Sequence, residues 1–199
     1  MGNASAHETP PEPRKRDAAA TAAAILEAAR VVFGERGYDA AGTREIAERA
    51  QVNVALINRY FGSKEGLFAQ AVPPTLDISP LLDGDMASFG ERAASLFVGK
   101  VMQADYDPLV ALVRSATSQD AAPLLRKALS TQVIAPLAER LDGANATERA
   151  NLIVSHLAGF HLMANLLGTA EATQADLPAL RAELAATLQA LAETSPSVD

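Results

Sequence analysis

Residues 43–68 read TREIAERAQVNVALINRYFGSKEGLF, and this stretch contains two short helical patterns separated by the turn at residues 51–53. Alanines in the first pattern leave room for a second helix to cross it closely. The stretch therefore predicts a helix-turn-helix whose second helix exposes Val54, Ala55, Leu56, Asn58, Arg59 and Tyr60. The apolar residues spaced to pack inward are Ile46, Ala47, Ala50, Val52, Ile57 and Phe61.

Each short helix of this region has a residue at its start that can act as an N-cap. Thr43, Asn53 and Ser63 precede helical patterns at residues 44–50, 54–61 and 64–72. Their side-chain oxygens can accept hydrogen bonds from the unpaired amides of a first helical turn. Two consecutive prolines at residues 73 and 74 then predict the end of this unit.

A longer helix is predicted upstream, over residues 17–36, and Gly37 is its expected stop. Residues 1–16 are polar and rich in proline, so we expect a disordered arm there, followed by a unit over residues 17–72. One face of the upstream helix is apolar at positions i, i+3, i+4, i+7 and i+8. Its members are Ile25, Ala28, Ala29, Val32 and Phe33.

The rest of the chain predicts a larger helical body over residues 75–195. Asp107-Pro108 is typical of a helix entry, with a capping aspartate and a proline in the first turn. No segment alternates like a strand, so the chain is predicted to be all-α with about nine helices. The body helices are expected at residues 85–104, 108–117, 120–141 with a break near Pro136, 147–167 and 177–193.

Composition excludes several classes of function. The chain of 199 residues has no cysteine, which rules out disulfides, thiolate metal sites and cysteine nucleophiles. No apolar run reaches the roughly 20 residues that span a bilayer, and the N-terminus does not resemble a secretory signal, so we expect a cytoplasmic protein. Residues 1–72 are electrically balanced, with nine basic and nine acidic side chains. The whole net charge of -7 therefore belongs to the body.

The stretch at residues 43–68 resembles the signature of the TetR (tetracycline-repressor-like) family of transcriptional regulators. The recognition helix ends in the aromatic pair Tyr60-Phe61, and Gly-Ser-Lys-Glu and a leucine follow it. The Phe-x-x-x-Gly-Tyr pattern at residues 33–38 also matches the family's first helix. The resemblance covers roughly residues 20–70. Further along the chain, only the length and the helical layout are similar.

The resemblance implies a three-helix DNA-binding domain followed by a helical domain that binds an effector and dimerises. Such a protein is a ligand-responsive repressor: as a homodimer it binds a palindromic operator in double-stranded DNA, and a small, mostly apolar effector releases it. No cofactor is implied. The residues expected to contact DNA are Thr43, Arg44, Asn53, Val54, Ala55, Asn58, Arg59, Tyr60 and Lys64.

These positions divide between the phosphate backbone and the bases. Thr43, Tyr60 and Lys64 are expected to meet phosphates, while Val54, Ala55 and Asn58 are the candidate base readers. The family more often has an aromatic residue at position 58, so the base preference stays open. Two alternatives also stay open: Tyr60 is either a phosphate donor or a core residue, and the basic run at residues 14–16 is either solvated or in contact with DNA.

Two further surfaces are expected on the body. An apolar effector pocket is predicted between the helices of residues 85–141 and the helix 147–167, with ordinary core packing as the alternative. Its candidates are Phe89, Phe97, Met102, Tyr106, Leu112, Arg114, Phe160 and Met163. The last two helices are expected to form the dimer interface. Its candidates are Leu152, His156, Phe160, Leu180, Leu184 and Leu188.

Catalytic and metal chemistry have little support in the sequence. His156 and His161 diverge by roughly 140° around a helix, so they cannot easily share a metal. No nucleophile–base constellation or phosphate-cradling glycine loop is present, and we expect no enzyme. Two alternatives remain: a helical small-molecule binder or enzyme with a vestigial helix-turn-helix, and a dimerisation module acting through a protein partner.

Overall fold

The computed structural model describes residues 13–98, 106–169 and 176–193. All regular structure in these ranges is helical, which confirms the predicted all-α class. In the described ranges nine helices have seven residues or more, counting as one the helix that a π-helical segment interrupts at residues 129–134. The fold therefore agrees with the expected number of about nine.

Helix α1 spans Pro13–Ala40 and begins earlier than the expected residue 17. Proline suits a first helical turn because its missing N–H would be unpaired there in any case. Residues 13–16 of the expected arm are thus helical, and residues 1–12 lie outside the described ranges. Gly37 (φ 72°) kinks α1 near its end, and one further turn leads to Ala40.

Three short helices complete the N-terminal unit: α2 (Thr43–Arg49), α3 (Ala55–Phe61) and α4 (Lys64–Ala71). The apolar face predicted for α1 is fully buried against them, as are Ile46 and Ile57. Three rings pack at the centre. Phe68 lies edge-on to Phe33 at 5.0 Å and to Tyr38 at 5.1 Å between ring centroids.

The body starts with a 3₁₀ turn (Pro73–Thr75) and three helices, α5 (Ser79–Leu82), α6 (Phe89–Phe97) and α7 (Pro108–Ser115). A 3₁₀ turn capped by Asp85 precedes α6. The helix predicted over residues 85–104 is shorter than expected, because the backbone at Val98 is already extended. Residues 99–105 lie outside the described ranges.

Two interrupted helices and a final one complete the body. Helix α8 (Ala121–Ala128) passes through a π-helical segment (Leu129–Ile134) into α9 (Ala135–Ala138). The break predicted near Pro136 is thus a π-helical segment directly before it. Proline has no backbone N–H to continue the i→i−4 hydrogen bonds, and the wider π turn accommodates this interruption. Helix α10 (Ala146–His161) ends in a second π segment (Leu162–Leu166), and α11 spans Leu177–Ala192.

Two large apolar cores hold these helices, and a third, small cluster consists of Leu76, Ala128 and Val133. One fills the N-terminal unit and extends to Ala111 of α7 and Leu125 of α8. The other joins α5, α6, α9, α10 and α11, with Phe89 and Leu188 fully buried in it. Helix α7 packs along α1, so this helix links the unit to the body.

Polar contacts strengthen the junction between α1 and α7. The Tyr38 amide donates to Ser115 Oγ at 3.0 Å in a buried position. Arg114 Nη1 donates to the carbonyls of Gly34 and Glu35, each at 2.7 Å. Just after α7, Ser118 Oγ donates to Asp39 Oδ1 at 2.7 Å. The end of α1 is thus fixed to α7 by side chains as well as by packing.

Candidate functional site

Helix α3 is anchored on one side and exposed on the other. Ile57 is fully buried and Phe61 nearly so, and both face α1 and α4. The opposite face presents four solvent-exposed residues: Val54, Ala55, Asn58 and Arg59. Leu56 was predicted to lie on this face, but it is half-buried against the N-terminal core. The exposed face is therefore narrower than the sequence suggested.

The predicted caps of the short helices have different outcomes. Asn53 Oδ1 accepts the Ala55 amide at 2.9 Å, and Ser63 Oγ accepts the Gly66 amide at 3.1 Å. The prediction that Thr43 caps α2 is wrong, because Gly42 holds the cap position and Thr43 is the first helical residue. The half-buried Thr43 side chain makes no capping bond, and it lies at the helix N-terminus.

Lys64 is held at the seam between α4 and the end of α1. Its Nζ donates to the Asp39 carbonyl at 3.3 Å and lies 4.6 Å from the centroid of the Tyr38 ring. Burial, and next the negative charge of Glu65, raise the pKa of the Tyr38 hydroxyl well above its ordinary value. Tyr38 therefore stays neutral and gives the ammonium an aromatic face. These contacts hold the Lys64 ammonium group beside the end of α1, and Lys64 itself is the first residue of α4.

Tyr60 occupies an intermediate position between the two interpretations left open. Its side chain is half-buried and packs against the N-terminal core, with its ring 6.3 Å from that of Phe61. A tyrosine in such a place buries its ring and leaves its hydroxyl near the solvent. The core role and a phosphate contact are therefore compatible for this residue.

Ion pairs separate the cations of the N-terminal unit into two groups. Arg36 Nε lies 3.5 Å from Glu45 Oε1, and Arg49 Nη1 lies 3.8 Å from Glu35 Oε1, so both arginines are neutralised at the α1–α2 contact. The exposed Arg44 has no ion pair within the described residues, and the same holds for Arg59. The positive charge available at the α2–α3 surface comes from these two side chains.

A cavity of about 300 Å³ lies inside the body, between the 3₁₀ turn after α4 and helices α5, α7, α9 and α10. Its wall is mostly aliphatic. The lining residues are Thr75, Leu76, Asp77, Ile78, Pro80, Leu81, Leu96, Phe97, Asp107, Pro108, Leu109, Leu112, Leu129, Val133, Leu137, Val154, Leu157, Ala158 and His161. The cavity has the position that the sequence predicted for an effector pocket.

Two of the predicted pocket residues, Phe97 and Leu112, line this cavity. Phe89 does not, because it is fully buried in the core that α6 shares with α11. The Tyr106 hydroxyl lies 3.0 Å from Thr75 Oγ1, and its ring is directed toward Gly34.

The remaining candidates also lie elsewhere. Arg114 is exposed and bonded to the end of α1, which excludes it from the cavity wall. Phe160 is half-buried and Met163 is 50% exposed, and neither lines the cavity. Met102 lies outside the described residues.

Sequence reasoning missed the polar pair inside the cavity. His161 Nε2 lies 2.6 Å from Asp107 Oδ2, and the His161 side chain is 6% exposed. The sequence held a signal for this pair, since His161 continues the buried i, i+4 row of Ile153 and Leu157. A polar residue in an apolar row needs a partner, and Asp107 was interpreted only as a helix cap.

The dimer candidates are exposed in part. Leu152 is 48% exposed and His156 is exposed, both on α10, while Phe160, Leu180 and Leu184 are half-buried. Leu188 is a correction: it is fully buried in the core of a single chain, where it packs on α10 and α6, so it cannot reach a second copy. Leu177 and Met163 extend the exposed apolar surface instead.

The described ranges contain no group of three or more histidine or acidic side chains arranged to hold a metal ion. Within the same ranges, no helix combines the length and the hydropathy that crossing a bilayer requires.

The fold and the exposed α3 define a class of helical regulators with an N-terminal helix-turn-helix. Two family models match the chain: "Bacterial regulatory proteins, tetR family" over residues 25–71, and "Tetracyclin repressor-like, C-terminal domain" over residues 87–191. The chain belongs to the TetR family, whose members are DNA-binding transcriptional regulators and not enzymes.

A curated relative is similar to part of the chain. The chain is 52% identical over 46 residues to the HTH-type transcriptional repressor Rv3405c of Mycobacterium tuberculosis, a match that covers 23% of this chain and 24% of that protein. The chain thus spans about a quarter of the length of that curated relative.

Solved structures extend the similarity to the body. A TetR-family regulator from Streptomyces coelicolor A3 is 28% identical with a TM-score of 0.58, and the match covers 92% of this chain and 99% of that one. A transcriptional regulator from Rhodococcus sp. Rha1 is 26% identical with a TM-score of 0.57, covering 90% and 99% of the two chains.

Proposed function

We propose that this protein is a ligand-responsive transcriptional repressor that binds a palindromic operator as a homodimer and is released by a small, mostly apolar effector. In this proposal residues 17–72 are the DNA-binding unit and residues 75–195 are the effector-binding and dimerisation body. The protein would act in the cytoplasm, where operator DNA is accessible. The observation that carries the proposal is α3, a short helix with a buried back and an exposed front that presents Asn58 and Arg59 beside the small apolar residues at its start.

The charge and shape of the N-terminal unit support docking of α3 in a major groove. Val54 and Ala55 at its start can pack on thymine methyl groups, and Asn58 can pair with an adenine edge. Asn53 Oδ1 already caps the helix, so Asn53 is proposed to act through its backbone and its amide nitrogen. Thr43, Arg44, Arg59, Tyr60 and Lys64 surround this front and would contact phosphates.

Release by an effector needs a physical link between the cavity and α3, and α7 supplies one. Pro108, Leu109 and Leu112 of α7 line the cavity. Less than one turn beyond Leu112, Arg114 and Ser115 of the same helix bond to the end of α1. An effector that shifts α7 would move the N-terminal unit with it. Control then requires that the effector bind with different affinities to the DNA-bound protein and to the released protein, in which α7 has shifted.

The test is operator binding by the full chain. We expect selection from genomic fragments to yield a palindrome, and a half-site to bind far more weakly than the whole palindrome, because a dimer is needed. Affinity should fall steeply with salt; a dimer with 6–10 phosphate contacts would lose about 10³–10⁵-fold between 50 and 200 mM salt. Recovery of no specific sequence would contradict the proposal.

A double variant tests the proposed phosphate contacts. Lys64→Ala combined with Tyr60→Ala should weaken operator binding and reduce the salt slope by about one for the lost lysine. The control is Lys127→Ala, which removes the same type of charge from the exposed surface of α8. Equal affinities of the double variant and the control in fluorescence anisotropy would show that this docking is wrong.

A further inference from the structure

The cavity in the body has few polar groups, and most of them are engaged in the fold. The Thr75 hydroxyl donates to the Val72 carbonyl at 2.6 Å, and the Tyr106 hydroxyl lies 3.0 Å from Thr75 Oγ1. Asp77 Oδ1 accepts the Ser79 amide at 2.9 Å, and Asp77 lies at the exposed edge of the cavity. The interior polar groups are therefore Asp107 and His161 alone among the described lining residues.

The Asp107 carboxylate is buried and negatively charged. Burial raises its pKa, but the hydrogen bond and charge of His161 and the amides of Val110 and Leu109 outweigh burial and lower it below the ordinary value. Its side chain is 13% exposed. Since its only side-chain partner among the described residues is one histidine, a further hydrogen-bond donor from a guest would stabilise the charged carboxylate.

The carboxylate also retains room for one more donor. Oδ1 accepts the amides of Leu109 at 2.9 Å and Val110 at 3.3 Å, and Oδ2 lies 2.6 Å from His161 Nε2. A carboxylate offers about four lone-pair sites, so three donors leave one acceptor direction on Oδ2. Since Asp107 lines the cavity, a donor on a molecule inside it can approach this carboxylate.

The described lining residues also disfavour an anionic guest. They include two carboxylates, Asp77 and Asp107, and no lysine or arginine. A buried carboxylate or phosphate of a guest would have only His161 as a cationic partner among them, and since His161 already pairs with Asp107, the anion would be repelled by that carboxylate. The aliphatic wall and the volume of about 300 Å³ suit a compact hydrocarbon at the small end of drug-sized ligands.

We propose that the cavity binds a compact lipophilic monocation whose protonated nitrogen donates a hydrogen bond to Asp107 Oδ2. This deepens the proposed function, since it names the chemical class of the effector. Asp107 is also the N-cap of α7, so the guest's nitrogen would bind the residue that starts the helix connected to α1.

The experiment titrates the full chain with three guests that share one cage: 1-aminoadamantane, 1-hydroxyadamantane and adamantane-1-carboxylate. We expect the amine to bind about tenfold more tightly than the alcohol, since a charge-assisted hydrogen bond is worth about 1–1.5 kcal/mol more than a neutral one. The carboxylate should bind most weakly. Equal affinities, a preference for the carboxylate, or no saturable binding of the amine by calorimetry would each overturn the proposal.

Matched variants assign the preference to Asp107. Asp107→Asn keeps a residue that can cap α7 and should reduce amine affinity about tenfold while the alcohol changes little. Asp176→Asn is the control, because Asp176 caps α11 through the Ala179 amide and precedes a proline in the first turn, outside the cavity. An equal loss of amine affinity in both variants would overturn the role of Asp107.

Two additions keep the result clear. The ranking of the three guests on the unmodified chain is decisive even if Asp107→Asn fails to fold. Ala158→Leu, which narrows the cavity, should weaken all three guests; unchanged binding would place them elsewhere and overturn the proposal. A ranking as expected in a chain that binds no operator would contradict the repressor function alone. Operator binding without that ranking would contradict this inference alone.

Discussion

At the scale of single residues, Gly37 shows how one backbone conformation fixes the DNA-binding unit to the body. Its φ of 72° and ψ of 176° lie in a region that is essentially restricted to glycine. A Cβ at this position would lie 2.6 Å from the Arg114 carbonyl oxygen of α7. Glycine is therefore needed both for the turn and for the close approach of α7.

Gly37→Ala should destabilise the protein by about 1–3 kcal/mol from backbone strain alone, and the contact with α7 adds to that. Gly42→Ala is the comparison, because Gly42 has a φ of -98° and a Cβ there would meet nothing closer than 3.9 Å. Urea unfolding of the two variants checks the difference. Equal midpoints would contradict the view that the α1–α7 junction depends on Gly37.

Residue-level prediction from sequence succeeded where the physics is local. The apolar row of α1 and the Asp107 cap follow from periodicity or from the chemistry of one residue, and Gly37, which was expected to end the helix, kinks it instead. The Asp107–His161 pair could not be predicted in the same way, because its members are 54 residues apart and meet only after α7 and α10 have packed. Phe89 and Arg114 were wrongly predicted to line the cavity for the same reason. The direction in which a side chain points depends on packing neighbours that are distant in the sequence.

At the scale of helices, Thr43 and Ser63 look alike in the sequence but hold different positions. Ser63 precedes α4 and caps it, whereas Thr43 is already inside α2 and Gly42 holds the cap position. The sequence could not separate them, because boundaries shift by one residue with the geometry of the preceding turn. A hydroxyl that is not used as a cap can serve a phosphate.

Ser63→Ala should therefore cost about 1 kcal/mol of stability, through loss of the bond to the Gly66 amide. Thr43→Ala should change stability by less than about 0.5 kcal/mol and yet weaken operator binding, if its hydroxyl meets a phosphate. Denaturant unfolding and anisotropy on both variants give the two readouts. A stability loss at Thr43 as large as that at Ser63 would restore the capping role.

Helix lengths in the body illustrate what periodicity cannot supply. The entry signal Asp107-Pro108 placed the start of α7 at the observed residue, because a capping aspartate and a proline act locally. The end of α6 at Phe97 carried no comparable signal, and the predicted helix was too long. The π segment before α9 follows from Pro136, but its six-residue extent depends on packing around the cavity.

At the scale of the whole molecule, charge and apolar surface are distributed unequally. The net charge of -7 belongs entirely to residues after 72, so the body would be repelled by a duplex while the N-terminal unit approaches it. Exposed apolar side chains occur on α10, after it and at the start of α11, including Leu152 (48%), Leu167 (60%) and Leu177 (43%). A surface of this kind is typical of an interface between two copies.

Two of the four leucines predicted for this interface from the sequence, Leu152 and Leu188, should behave differently. Leu152→Arg places a charge on an exposed face, so it should leave the single chain folded and shift the protein from dimer to monomer. Leu188→Ala empties a fully buried site within one chain and should cost about 2–5 kcal/mol of stability. Light scattering during gel filtration measures the first effect, and thermal unfolding measures the second.

Gln70→Arg adds the same charge to the exposed surface of α4 and should leave the oligomeric state unchanged. Because each half of a palindrome needs its own α3, the Leu152→Arg monomer should also lose most of its affinity for the whole operator while keeping its affinity for a half-site. A Leu152→Arg protein that remains dimeric would move the interface away from α10. In that case the spacing of the two α3 helices would have to be set by another surface of the body.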